Sequence, residues 1–157
     1  MRKIIKFLVL AILITACSSS VDSNKKMAGD FLDLALSANP LDAQELTHPE
    51  FKFVFMGNTE ISNSPYDRDA YFDYWLPEVV GKLLPNGITL TTTDMIADDD
   101  GVAVIMEGDA EGINGEYDNK YVFVYKFKDG KIFSIHEYNS DLLVATRLYK
   151  NKLVPSD

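Results

Sequence analysis

The chain has a single cysteine, Cys17, in 157 residues, so no disulfide within it can staple the fold. Its two histidines, His48 and His136, lie far apart without i, i+4 partners, which argues against a dedicated transition-metal site. Basic residues are scarce: 15 Lys and Arg face 24 Asp and Glu, for a net charge of −9. Such a surface repels phosphate backbones and anionic lipid headgroups, which excludes nucleic-acid binding and electrostatic docking on a membrane. There is no nucleophile elbow, no phosphate-cradling glycine-rich loop, no paired-cysteine motif and no internal repeat. Ser134 has no placed base. Asp98-Asp99-Asp100-Gly101 lacks the spaced ligands and closing Glu of a calcium loop and reads as a solvated turn. Neither a metal nor a cofactor is expected.

A long apolar run is missing too. Ile4 to Ile14 is broken by Lys6, and at about 1.5 Å per residue it is too short to span a bilayer of roughly 30 Å. After the basic Met1–Lys6 it fits the core of a secretory signal peptide. Ile14-Thr15-Ala16-Cys17 then resembles the bacterial lipobox, in which small residues precede a cysteine that is acylated and becomes the new N-terminus. The alternative is an ordinary cleavable signal with an incidental buried cysteine. The lipobox reading makes residues 1–16 a signal peptide, Cys17 the lipidation site and 17–26 a polar tether. Removing Arg2, Lys3 and Lys6 leaves 12 basic against 24 acidic residues. Ser18 rather than Asp after the cysteine implies anchoring at the outer membrane, facing the periplasm, in a host that has one.

What is present is a globular composition, 46% hydrophobic and 11% aromatic, in a length suited to one domain over 27–150 and a tail over 151–157. Met27, Phe31, Leu34 and Ala35 recur at helical spacing, predicting a helix over 25–37 capped by Ser23 or Asn24. Asn39 and Pro40 start a short helix to Leu46, which His48-Pro49 ends. Phe51, Phe53 and Phe55 alternate as an inward strand face. Asp67–Leu84 reads as an aromatic helix with a kink or break at Pro77, carrying Tyr71, Trp75 and Val79 on one stripe. Four strands follow, Ile88–Ala97, Gly101–Gly112, Glu116–Lys128 and Lys131–Asn139. The separators Asp98–Asp100, Asn114-Gly115 and Asp129-Gly130 are turn chemistry, so the strands form an antiparallel meander. Asp141 caps a last helix to Leu148. Helices first and strands later predict an α+β fold.

Register decides what faces inward. A three-residue loop Lys128-Asp129-Gly130 sets Tyr125 opposite Phe133, Phe123 opposite Ile135 and Tyr121 opposite Glu137. A two-residue loop sets Phe123 opposite His136. Burial selects the first, because it gathers the apolar side chains on one face. Tyr117 and Asn119 share the parity of that face, and His136 points outward. Whether Met106 or Ile105 packs beside Phe123, and whether Glu107 faces inward beside Tyr121, stays open.

Tyr117-Asp118-Asn119-Lys120-Tyr121-Val122-Phe123, Asp129-Gly130-Lys131-Ile132 and Glu137-Tyr138 together resemble the end of a SnoaL-like domain. That group shares the cone-shaped α+β fold of nuclear transport factor 2 with scytalone dehydratase and ketosteroid isomerase. The resemblance implies a curved sheet wrapped around an apolar pocket, and in many members a homodimer across the sheet's outer face. The family's closing motif commonly runs Glu-Tyr-x-Asp, whereas here Ser140 follows Glu137-Tyr138-Asn139, so no catalytic Asp is carried over. The expected pocket lining is Phe53, Tyr71, Trp75, Tyr117, Asn119, Phe123 and Ile135, with Glu137 and Tyr121 as candidate catalytic groups. A carboxylate on an apolar face has a raised pKa suited to proton transfer. It equally suits a structural role, hydrogen-bonded to Tyr121, Tyr117 or the backbone, which is the commoner one. The expected function is binding of a small apolar ligand or a protein partner by a lipid-anchored envelope protein. The alternative is a cofactor-independent isomerase, dehydratase or hydrolase. A packed interior would instead mean a domain serving assembly.

Overall fold

A computed structural model describes residues 20–155. The expected signal peptide and Cys17 lie outside the described residues. Helix α1 (20–35) starts earlier than its apolar spacing suggests: residues 20–26, read as tether, are helical, and Ser23 and Asn24 lie inside the helix rather than capping it. The half-buried Val21 extends the helix's inner face, and the fully buried stripe is Ala28, Phe31, Leu32 and Ala35, with Met27 and Leu34 at its flank. Helix α2 (Leu41–Glu45) has Pro40 at its cap position and no side-chain cap, one residue later than expected.

Strand β1 (Thr47–Met56) takes in His48 and Pro49, which therefore do not end α2 but form the irregular start of the strand. Phe51, Phe53 and Phe55 are all buried, as the alternation required. A short strand β2 (Pro65–Asp67), unforeseen in the sequence, pairs antiparallel with β1 through Phe53 opposite Tyr66. Helix α3 follows as a first turn Arg68–Ala70, a wide-wound π segment Tyr71–Val80 and a last turn Gly81–Leu83. Asp67 caps it by accepting from Ala70 N. Pro77 neither breaks nor ends the helix. It lacks an N–H and its ring would crowd the turn before it, and the wider winding, with Gly81 N–H bonded to Leu76 O, accommodates both. Arg68 ties this helix down by donating to Thr47 Oγ1 (2.9 Å) and Gln44 O (2.8 Å).

The remaining strands are β3 (Ile88–Ala97), β4 (Val102–Gly112), β5 (Gly115–Glu116), β6 (Lys120–Lys128) and β7 (Lys131–Tyr138). The sheet order is β2-β1-β7-β6-β4-β3, with β5 on β4. The expected meander β3-β4-β6-β7 is thus present. Strand β1 joins it parallel to β7, a pairing that no local pattern announces, and this places the phenylalanine strand inside the sheet. Register shifts near Thr93 in β3 and Phe133 in β7 help curl this largely antiparallel sheet into a half-barrel. The helices pack in its concavity, where Phe31 meets Phe51, Tyr71 and Tyr125 with ring centroids 6.0–6.3 Å apart. The last helix, α4, runs from Asp141–Leu143 into a π segment Val144–Leu148, with Ser140 rather than Asp141 at the cap position. Asp141 instead accepts from Asn58 N (2.9 Å).

The β6–β7 turn corrects the expected register. Asp129 (φ 52) and Gly130 (φ 72) form a two-residue turn with both residues at positive φ, and Lys128 faces Lys131. The bulge at Phe133 then shifts the pairing, so Tyr125 faces Ile135 and Phe123 faces Glu137. This differs by two residues from the expected pairing, so every strand side chain kept its face except at the bulge. Ile132 is buried there, and Phe133 turns outward against His48 and Lys128. Among the described residues no helix is long and apolar enough to cross a membrane.

Candidate functional site

Glu137 is flanked across the sheet by two phenyl-bearing positions, Phe123 on β6 and Phe55 on β1. That pairing follows from the alternation of β1, β6 and β7, and it sets the half-buried Glu137 among apolar neighbours. Burial raises its pKa to about 7, and the hydrogen bond from Asn139 Nδ2 (2.9 Å) opposes the shift without cancelling it. The expected donors Tyr121 and Tyr117 are not what holds this carboxylate. Asn139 does, two residues on and just past the end of β7, and that i, i+2 spacing was a usable signal for it.

Around Glu137 lies a hollow of about 70 Å³, walled by Trp75, Tyr71, Tyr117, Tyr121, Phe123 and Phe55 and closed by leucines of α1 and α3. It is large enough for several waters or the compact end of an organic molecule. It is well below the roughly 300–1,000 Å³ of a site enclosing a drug-sized ligand. Tyr121 and Phe123 stack with centroids 5.6 Å apart and planes 14° from parallel. The Tyr121 ring lies across Gly108, where a Cβ would stand 2.7 Å from Cε2; only a glycine lets β4 carry that ring. This role for Gly108 was not foreseen, and an unexplained glycine inside a strand was its only trace.

Not every expected wall residue faces the hollow. Tyr71, Trp75, Tyr117 and Phe123 do, together with both catalytic candidates. Phe53 does not: the Tyr71 and Trp75 rings cover it at 4.8 and 4.9 Å. Ile135 is packed into the core, and Asn119 is buried behind the wall. Asn119 acts as a bracket there. Its Nδ2 donates to Tyr117 Oη (3.0 Å), while its Oδ1 accepts from Lys120 N (2.8 Å) and Ser140 N (3.2 Å). Ser140, where the family often has an acid, thus serves through its backbone. Val104 is the residue opposite Phe123, with Met106 buried beside it and Ile105 on the other face. Glu107 faces outward, exposed and paired with Lys120 Nζ at 2.7 Å, so it does not join Glu137 as a second carboxylate.

The tyrosine hydroxyls are held protonated. Burial pushes Tyr117 up to about 12 even though hydrogen bonds with Tyr121 and Asn119 pull it back. Burial raises Tyr121 further, with Tyr117 and Glu137 adding to it, and raises Tyr71, with Glu137 adding again. The hollow can therefore exchange a proton near neutral pH at Glu137 and donate hydrogen bonds from phenols, on otherwise apolar walls. Asp98 Oδ1 accepts from Asp100 N and Gly101 N, which makes the acidic run a self-bonded turn. Among the described residues no group of three His, Cys, Asp or Glu side chains is placed to hold a metal ion.

No curated protein matches the chain. Solved structures of the same shape are numerous. Bal32a, from a soil-derived mobile gene cassette, superposes with a TM-score of 0.69 at 19% identity, covering 82% of this chain and 96% of that one. A protein of Jannaschia sp. CCS1 proposed to be a SnoaL-like polyketide cyclase gives 0.68 at 15%, covering 84% and 95%. A Bacillus subtilis protein proposed to be an isomerase gives 0.67 at 20%, covering 83% and 95%. At such identities the likeness is one of fold. The family model for the SnoaL-like domain matches residues 28–135, and on that match the chain belongs to the SnoaL-like domain family, within the nuclear transport factor 2-like fold.

Proposed function

We propose that the protein is a lipid-anchored component of a bacterial envelope whose domain binds a small, largely apolar molecule in the hollow at Glu137. The observation that carries the binding reading is one titratable carboxyl set among aromatic walls, in a space the side chains leave unfilled. A packed interior would have pointed to an assembly role alone. The anchor rests on Ile14-Thr15-Ala16-Cys17 following a short apolar run, and Ser18 favours the outer membrane. The sheet's outer face is the surface proposed for self-association. A native mass spectrum of the purified protein tests both points of binding: a retained small molecule supports the reading, and a bare mass across gentle conditions counts against it. The same spectrum reads monomer or dimer.

A second reading is favoured by the position of Glu137 near neutrality. It is general acid–base catalysis, with Glu137 moving the proton and Tyr121 or Tyr117 hydrogen-bonding a substrate oxygen. The structural neighbours proposed to be an isomerase and a polyketide cyclase are consistent with that chemistry. Glu137→Gln separates the readings. Catalysis requires that turnover vanish while the ligand still binds; pure binding leaves no turnover to lose.

A further inference from the structure

We infer that the hollow at Glu137 is the deep end of a longer site, continued by a surface groove, and that its ligand is an elongated molecule that is uncharged or cationic. This inference rests on the binding reading above and adds the extent of the site and the class of ligand.

The first argument is space. The hollow of about 70 Å³ takes only a compact group, but a groove of about 610 Å³ lies beside it. Leu36, Leu76, Val80, Leu84 and Ile88 line both. These five side chains form a septum contributed by the end of α1, by α3 and its C-terminal turn, and by the start of β3. Leu84 is buried and the others are partly accessible. Side-chain rearrangement of the four accessible residues around the buried Leu84 would join the two spaces. The π winding around Pro77 sets Leu76 and Val80 on this boundary.

The second argument is charge. Among the described residues no Lys or Arg lines the hollow or the groove. The deep end carries Glu137, and the outer groove carries the exposed Asp109 and Glu111. Ser37, Asn86 and Thr89 add neutral hydrogen-bonding groups to the groove. A carboxylate, phosphate or sulfate in the outer groove would lie near Asp109 and Glu111 with no lining counter-ion, and one at the deep end would meet like charge once Glu137 ionises above neutral pH, which is how a site rejects a partner. An alcohol, ketone or amine meets no such penalty.

The test uses the single tryptophan, Trp75, which stands in the wall of the hollow, as a fluorescence reporter. The probes are phenol for the deep end alone, and decan-1-ol, decylamine and decanoate for the whole site. Gly81→Phe fills the groove. Gly81 is helical and exposed, and the nearest atom to an added Cβ is Leu76 O at 3.4 Å, so a side chain fits there. Gly81→Ala is the control. The expected result is a saturable Trp75 response to decanol and decylamine and a much weaker one to decanoate. Gly81→Phe should weaken decanol by about tenfold, the loss for about two methylenes kept from apolar contact, and leave phenol unchanged. Equal decanol binding in Gly81→Phe and Gly81→Ala, with phenol still bound, overturns the groove and leaves the hollow standing. Decanoate binding as tightly as decanol overturns the charge rule. No response to any probe overturns the binding reading and this inference together.

Discussion

Replacing Glu137 with glutamine should make the protein more stable above neutral pH, not less. The carboxyl sits at about 7 in the fold against an ordinary 4.5, because burial disfavours its charge. Between those values the folded chain holds a proton that the unfolded chain has released. Stability therefore falls as pH rises from 4.5 to 7 and levels off above, since the unfolded state binds fewer protons over that window. At about 1.4 kcal/mol per pH unit the full loss is about 3 kcal/mol. Glutamine cannot ionise, and its Oε1 can still accept from Asn139 Nδ2, so the variant keeps the hydrogen bond and loses the penalty. The acidic background of 24 carboxylates titrates in both proteins, and the difference between their profiles isolates Glu137. Urea unfolding followed by Trp75 fluorescence at pH 5, 6, 7 and 8 gives both curves. The gap should be small at pH 5 and grow in favour of the variant to pH 8. Parallel profiles, or a variant less stable at pH 8, would refute the desolvated carboxyl and return Glu137 to a structural role.

Gly108→Ala should cost about 1–3 kcal/mol and disturb the hollow, because the new Cβ stands 2.7 Å from the Tyr121 ring and 2.9 Å from Ile88 Cδ1; chemical unfolding and phenol binding read the two effects. Gly130→Ala should cost about 1 kcal/mol, since φ is 72° in the β6–β7 turn, whereas Gly81→Ala at helical φ should be neutral or stabilising by a similar amount in thermal unfolding. Cys17→Ser should release the protein from the membrane fraction once unprocessed precursor is accounted for; retention of a processed form there would rule out the lipid anchor.

The meander and the inward faces of β1, β6 and β7 were legible because alternation is a local property. The β6–β7 register was not. Asp129-Gly130 allows two loop lengths, and alternation carries no mark of the bulge at Phe133. Parity survived the error, so Glu137 was found on the correct face although its neighbour is Phe123 rather than Tyr121. Phe53 and Ile135 carry the pattern of wall residues but lie one layer deeper: bulky α3 aromatics cover the former, and the latter is buried in the core between Phe53 and Tyr125. Pocket lining depends on what stands in front of a side chain, and alternation reports only which way it points. Helix α1 began earlier than read because the polar residues before Met27 carry little periodic signal of their own.

The parallel seam between β1 and β7 sets the order in which the chain can fold. Phe53 and Phe55 find their strand neighbours at Ile135 and Glu137, near the far end of the polypeptide. As the chain is delivered N-terminus first, α1, α2 and β1 come before β7 and expose three phenylalanines in a row of alternate positions with no strand along one edge. Closing so long a loop is slow compared with forming the β6–β7 hairpin. The unsealed β1 is therefore the segment most open to chaperones, and to misassociation, until the last strand has been made.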